Sequence, residues 1–179
     1  NWTPSSLIMD VPVEYSDGAG GTYKPKNYDE KYHGPVSLRV ALANSYNIPA
    51  VKALEAVGIS ALKEMAARLG ITTLTRNDYG LSLTLGSGEV PLLEMAGAYQ
   101  ALANEGVLVP PVSILQITDE FGRVIDPPRP QSQRVLRWEH AYLMTHILAD
   151  NEARAISFGP NSYLNLSRPA AAKTGTTND

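Results

Sequence analysis

The placement of proline and glycine constrains this 179-residue chain more than any other feature. Over residues 1–35, prolines stand at 4, 12, 25 and 35, and Gly18-Ala19-Gly20-Gly21 interrupts what remains. Each proline locks φ and lacks an N–H, and each glycine loosens the backbone, which leaves no room for a long helix or central strand. The segment reads as short strands and loops draped over another element. From Ser37 the texture changes to Leu38, Val40, Ala41, Leu42 and Ala43, which predicts a helix N-capped by Ser37 and ending near residues 44–46. Pro49 suits the start of a second helix with Val51, Leu54 and Val57 as its buried stripe, and Gly58 ends it. A third runs over residues 60–69, with Leu62, Met65, Ala66 and Leu69 at helical spacing and Gly70 beyond its end. Ser60 is expected to be its N-cap. Three helices in succession form a helical subdomain.

Residues 81–90 are a short apolar run broken by Gly86 and Gly88; Pro91 then starts a helix to Asn104, closed by Gly106. Residues 112–118 alternate as a strand, and Glu120-Phe121-Gly122 turns it into a hairpin with residues 123–125, ended by Pro127, Pro128 and Pro130. Residues 138–148 predict a helix. The last stretch, "PAAAKTGT", predicts a strand entered from Pro169. The order of elements predicts an α+β protein with a helical subdomain, whose sheet is expected to lie mostly outside this chain.

Composition narrows the function. The formal charge is −3 with the basic residues scattered, so nothing invites a nucleic-acid backbone. No run approaches the roughly 18 apolar residues of a membrane span. Cysteine is absent, which removes thiolate nucleophiles and disulfides. His140 and His146 fall on different faces of a helix and make no metal pair, and His33 reads as a surface or packing residue. Glu89, Glu94, Asp150 and Glu152 offer no pair across a cleft, with Glu94 read as helix surface.

Two short motifs remain. Lys173-Thr174-Gly175-Thr176 combines a cation with two hydroxyls that a strand's period of two puts on one face, and a glycine that lets a ligand backbone come close. The chain's composition gives about 0.03 chance occurrences of K-T-G. Ser45-Tyr46-Asn47, at the joint of two helices, can project a hydroxyl and a carboxamide toward one cleft, but S-x-N has about 0.7 chance occurrences and taken alone reads as a helix-terminating turn.

In this order the motifs resemble the active-site elements of penicillin-binding proteins and serine β-lactamases, S-x-x-K, S-x-N and K-T-G. "NYDEKYHGPVSLRVALANSYNIPAVKALEAVGI", "RLGI", "LSLTLGSGEVPLLEMAGAYQALANEG" and "AAAKTGTTND" extend the resemblance over nearly the whole chain, to the transpeptidase domain of class A, bifunctional penicillin-binding proteins. That resemblance implies the penicillin-binding transpeptidase (β-lactamase-like) fold, α+β with a helical subdomain plus an antiparallel sheet, only partly covered, with residues 1–179 a partial domain. The one S-x-x-K present, Ser60 to Lys63, follows S-x-N instead of preceding it, so the nucleophile's segment is expected upstream of Asn1 and further strands after K-T-G.

The resemblance further implies a serine acyl transfer that cross-links D-Ala-D-Ala stem peptides. Ser45 would relay protons, Asn47 would bind the substrate amide, and Lys173 would supply positive potential. Thr174, Gly175 and Thr176 would hold the terminal carboxylate, with the Thr176 N–H in the oxyanion hole. No metal or organic cofactor is implied. The partners implied are peptidoglycan stem peptides, β-lactam antibiotics, the missing parts of the domain and other cell-wall synthesis proteins. The place implied is the outer face of the bacterial inner membrane, on a parent anchored by an N-terminal helix. Two alternatives stay open: a non-catalytic relative that binds peptidoglycan or β-lactam, and a hydrolase of the D,D-carboxypeptidase or β-lactamase type.

Overall fold

The computed structural model describes residues 2–16, 21–125 and 131–175. Gly18, Ala19, Gly20, Pro127, Pro128, Pro130 and Thr176 fall outside the described residues. As the punctuation predicts, the first part of the chain makes only short strands. β1 (Leu7–Asp10) pairs antiparallel with β4 (Gly34–Ser37) in a register that sets Asp10 opposite Gly34, and β2 (Tyr15–Ser16) pairs with β3 (Thr22–Tyr23). β4 runs straight into α1 (Leu38–Ala43), where Ser37 Oγ accepts the Val40 N–H at 3.2 Å, the capping role its sequence predicts.

α2 (Asn47–Val57) supplies the centre of the core through Ile48, Val51 and Leu54, all buried, and packs on a 3₁₀ turn over Leu81–Leu85 that presents Leu83. That turn is what the glycine-broken apolar run becomes. α3 (Ile59–Arg68) follows at once, because Gly58, at φ 85° and ψ 149°, both ends α2 and opens α3. Ser60 is consequently not the N-cap: the helix starts one residue before it, Ser60 lies exposed in the first turn, and no side chain caps the end.

α4 (Leu92–Ala103) begins after Pro91 and packs on α5 (Trp138–Leu148), while α1 lies against both α5 and α6 (Asn151–Phe158). Two further ribbons complete the described fold, β5 (Val107–Leu108) with β8 (Gln133–Arg134), and β6 (Ile117–Thr118) with β7 (Val124–Ile125). The β6–β7 hairpin turns where its sequence predicts, on an Asp119 carboxylate that accepts the N–H groups of Phe121 and Arg123.

Two further expectations need correction, and one helix goes unannounced in the sequence. Residues 112–116 are not strand: they are exposed and no strand faces them, so only Ile117 and Thr118 pair. Residues 169–175 form no strand, since a strand needs a ladder and among the described residues the segment has a single backbone bond to a neighbour, from Ala172 N–H to Leu148 O at 2.9 Å. α6 is absent from the sequence reading, because its one buried residue is Arg154 and no apolar stripe announces it.

Gly106 closes α4 and turns the chain into β5 at φ 85°, and a Cβ there would collide with the Leu136 carbonyl, 2.9 Å from its carbon. Gly122 has a similar φ of 76° but open space around it. Gly106→Ala should therefore cost more than the roughly 1–2 kcal/mol of left-handed backbone alone, and Gly122→Ala about that amount. Thermal unfolding of the two variants side by side measures the difference, and equal losses would refute the clash.

Candidate functional site

The site is built where α1 hands over to α2. Asn44 caps α1, Ser45 turns the chain at φ 59°, and Asn47 begins α2. Left-handed backbone is rare at a non-glycine residue and is held here by Ser45 N–H to Leu42 O at 3.2 Å and Tyr46 N–H to Ala41 O at 3.0 Å. The kink aims the Ser45 hydroxyl at the far end of the chain. Lys173 Nζ donates to Ser45 Oγ at 2.5 Å and to Thr174 O at 2.7 Å, joining residues 128 positions apart.

Lys173 is half-buried, and among the described residues no carboxylate lies within ion-pair distance of it. Burial alone lowers its pKa below the ordinary 10.5. The unfolded chain thus holds that proton more tightly. Between the depressed value and 10.5 the unfolded state binds more protons, so this group's penalty on folding is full below that window and lifts as pH rises through it.

Asn47 is fixed by a network from the loop before β4. Asn27 Oδ1 accepts the N–H groups of Asn47 at 2.9 Å and Ile48 at 3.2 Å, so a residue twenty positions upstream caps α2. Tyr46, at the N-cap position itself, offers no side-chain bond to the helix. Asn27 Nδ2 in turn donates to both carboxylate oxygens of Asp10, at 3.0 and 2.8 Å, and to Lys31 O at 2.8 Å. Asp10, fully buried, also accepts from His33 N at 3.0 Å and contacts His33 Nδ1 at 2.5 Å. Asn47's own amide donates to Lys26 O at 2.8 Å.

Tyr46 does not face the same way as its neighbours. Its ring is buried and stacks on His33 with centroids 4.0 Å apart, and burial raises its pKa.

Of the residues singled out in the sequence, the fold thus brings Ser45 and Lys173 into contact, with Asn47 two residues from one and Thr174 and Gly175 beside the other. Thr176 lies outside the described residues. The S-x-x-K pair is not part of this cluster: Lys63 Nζ donates to Arg76 O at 2.6 Å and lies 5.6 Å from the Tyr79 ring centroid. His33 proves to be a packing residue. Glu94 is more than helix surface, since its carboxylate accepts from Thr72 N, Thr72 Oγ1 and Thr73 Oγ1 and ties α4 to the loop after α3. No group of three or more potential metal ligands occurs among the described residues. The sequence reading missed Asp10 and Asn27. Two signals pointed to them: an aspartate closing the apolar strand Leu-Ile-Met-Asp, and a helix start with no capping residue of its own.

Comparison with known proteins defines the class. The family model for the penicillin binding protein transpeptidase domain matches residues 1–179, and the chain belongs to that family. It is 37% identical over 179 residues to penicillin-binding protein 1A of Aquifex aeolicus (strain VF5), covering 98% of this chain and 23% of the relative. The chain thus spans about a quarter of that relative's length. The crystal structure of penicillin-binding protein 1A from Haemophilus influenzae superimposes with a TM-score of 0.72 at 28% identity, over 83% of this chain and 26% of that one. PonA1 from Mycobacterium tuberculosis shares the fold over 99% of this chain and 48% of its own, with a TM-score of 0.79 at 22% identity. The predicted fold class, a partly covered α+β transpeptidase fold, is what these neighbours display.

Ser45's backbone gives a test that separates strain from chemistry. Ser45→Ala and Ser45→Gly both remove the hydroxyl, but only glycine is at ease at φ 59°. Ser45→Gly should be more stable than Ser45→Ala by about 1 kcal/mol, read from denaturant midpoints at equal slope. Equal stabilities would show that the turn stores no strain.

Proposed function

We propose that this chain carries two walls of a serine D,D-transpeptidase active site and that the nucleophile's S-x-x-K helix lies outside residues 1–179. The observation that carries the reading is the 2.5 Å contact between Lys173 Nζ and Ser45 Oγ, in a chain of the transpeptidase family. Lys173 donates to the serine oxygen, which leaves the hydroxyl's own hydrogen free to be passed on. Ser45 is therefore suited to protonate a leaving amine.

In the proposed reaction the absent serine attacks the carbonyl between the two terminal D-alanines of a peptidoglycan stem. Its proton leaves through the lysine of its own motif and the Ser45 hydroxyl, the peptide C–N bond breaks, and D-alanine departs with that proton. An amine from a second stem then attacks the acyl-enzyme, restores the serine and closes a cross-link. Asn47 Oδ1 accepts the substrate's amide N–H. The Lys173 charge and the hydroxyls of Thr174 and Thr176 take the terminal carboxylate, and the Thr176 N–H serves as one arm of the oxyanion hole. β-Lactams present the same carboxylate beside a strained amide and are trapped as acyl-enzymes.

Stem peptides and β-lactams are the ligands on this reading, and other cell-wall synthesis proteins are its partners. It acts on the outer face of the bacterial inner membrane. Its anchor on this reading is an N-terminal helix of the parent; among the described residues no helix is long and apolar enough to cross a membrane.

Intact mass and peptide mapping of the full-length protein after benzylpenicillin test the assignment. The drug should sit on a serine outside residues 1–179, and a drug on Ser45 or Ser60 would overturn these roles. Lys173→Ala should slow acylation on the order of 100-fold with folding retained, the scale of losing one group that stabilises transition-state charge. An unchanged rate would remove Lys173 from the site.

Lys173's depressed pKa gives a sign as well. Affinity for the β-lactam carboxylate should fall on the alkaline side at a pH below 10.5, as the ammonium loses its charge early. A limb at the ordinary lysine value would contradict its burial.

A further inference from the structure

We propose that α6 is the common anchor of the two motifs and that Arg154 and Asn44 are positioning residues for the Ser45–Lys173 contact, an inference that rests on the transpeptidase reading. Two independent sets of bonds converge on this helix.

The first fixes Lys173. Arg154 is 2% exposed, and its guanidinium fills the corner between α5 and α6. Nη2 donates to Leu148 O, and Nε to Asp150 O at 3.4 Å. Leu148 is the last residue of α5, so its carbonyl is one of those a helix end leaves without an internal partner. The same oxygen accepts the N–H of Ala172, the residue before Lys173. Arg154 and the K-T-G segment thus share one acceptor.

Among the described residues Arg154 has no carboxylate partner; the nearby Asp150 side chain accepts Ala153 N at 2.8 Å and pairs with Arg39 at 2.8 Å. A buried cation held by carbonyls alone is expensive, relieved here only by the negative end of α5. Stability is thus a poor explanation for an arginine at this position, and its bond to Leu148 O gives it a task.

The second set fixes Ser45. Asn44, buried and directly before it, donates to Ala153 O at 2.8 Å and to Val40 O at 2.9 Å, and accepts Ser157 N–H at 2.9 Å. The residue before Ser45 is therefore fastened to α6 at two points, Ala153 and Ser157. A shift of α6 moves both ends of a 2.5 Å contact.

The test measures benzylpenicillin acylation of the full-length protein, separating the limiting rate from the apparent dissociation constant. Arg154→Met should lower the limiting rate by roughly 10- to 100-fold, the scale of an ångström-sized misplacement, with little change in the dissociation constant. Arg154→Lys, which can still reach Leu148 O, should recover much of the loss. Asn44→Asp keeps the acceptor for Ser157 N–H and loses the donor to Ala153 O, and should lower the same rate a few-fold. A merely structural role would lower the melting temperature and leave the limiting rate per folded molecule unchanged.

If Arg154→Met folds, a wild-type limiting rate overturns the inference; if it does not fold, Asn44→Asp decides in the same way. A wild-type protein that benzylpenicillin does not acylate would instead sink the transpeptidase reading.

Discussion

The pair of hydrogen bonds from Asn27 to the buried carboxylate of Asp10 is the constraint on which this site depends. Asp10 ends β1 opposite Gly34, so the β1–β4 ribbon fixes where the carboxylate stands. The carboxylate orients the Asn27 amide, and the opposite face of that amide caps α2. α2 is the helix whose Ile48, Val51 and Leu54 fill the core and whose first residue is Asn47. A burial cost of several kcal/mol for an uncompensated charge is avoided because Asp10 accepts from Asn27, His33 N and the His33 ring. The loops of the first 35 residues, which look dispensable as sequence, thus determine the direction in which the S-x-N turn points.

Legibility in the sequence follows the range of the interactions. α1, α2, α4 and α5 are readable because caps, prolines and apolar spacing act within a few residues. The two motifs are readable because each is contiguous. What escapes is non-local. Asn27 caps a helix twenty residues away, and no local signal at Tyr46 supplies that cap. α6 buries an arginine, so a search for an apolar stripe passes over it. Ser60 looks like a cap only while the end of α2 is placed without Gly58's shared role. The K-T-G segment has the composition of a strand, but ladder partners are a property of the whole fold, and a single bond to Leu148 O is what it finds among the described residues.

Among the described residues Arg39, Arg76, Arg123 and Arg137 pair with carboxylates, whereas Lys52, Lys63, Arg68 and Arg134 reach backbone carbonyls. Lys173 and Arg154 also lack a carboxylate there, but Arg154 is buried and Lys173 half-buried, and both lie within a few bonds of Ser45, which itself holds a backbone conformation that serine disfavours. Departures from local preference that cluster at one place are better explained by what the place does than by how the fold is stabilised. A carboxylate beside Lys173 would neutralise the charge that a ligand's carboxylate needs, and it would hold the amine's pKa up where burial now lowers it. On the proposed reading, the lack of a carboxylate beside Lys173 among the described residues leaves the lysine to the serine on one side and to an incoming anion on the other.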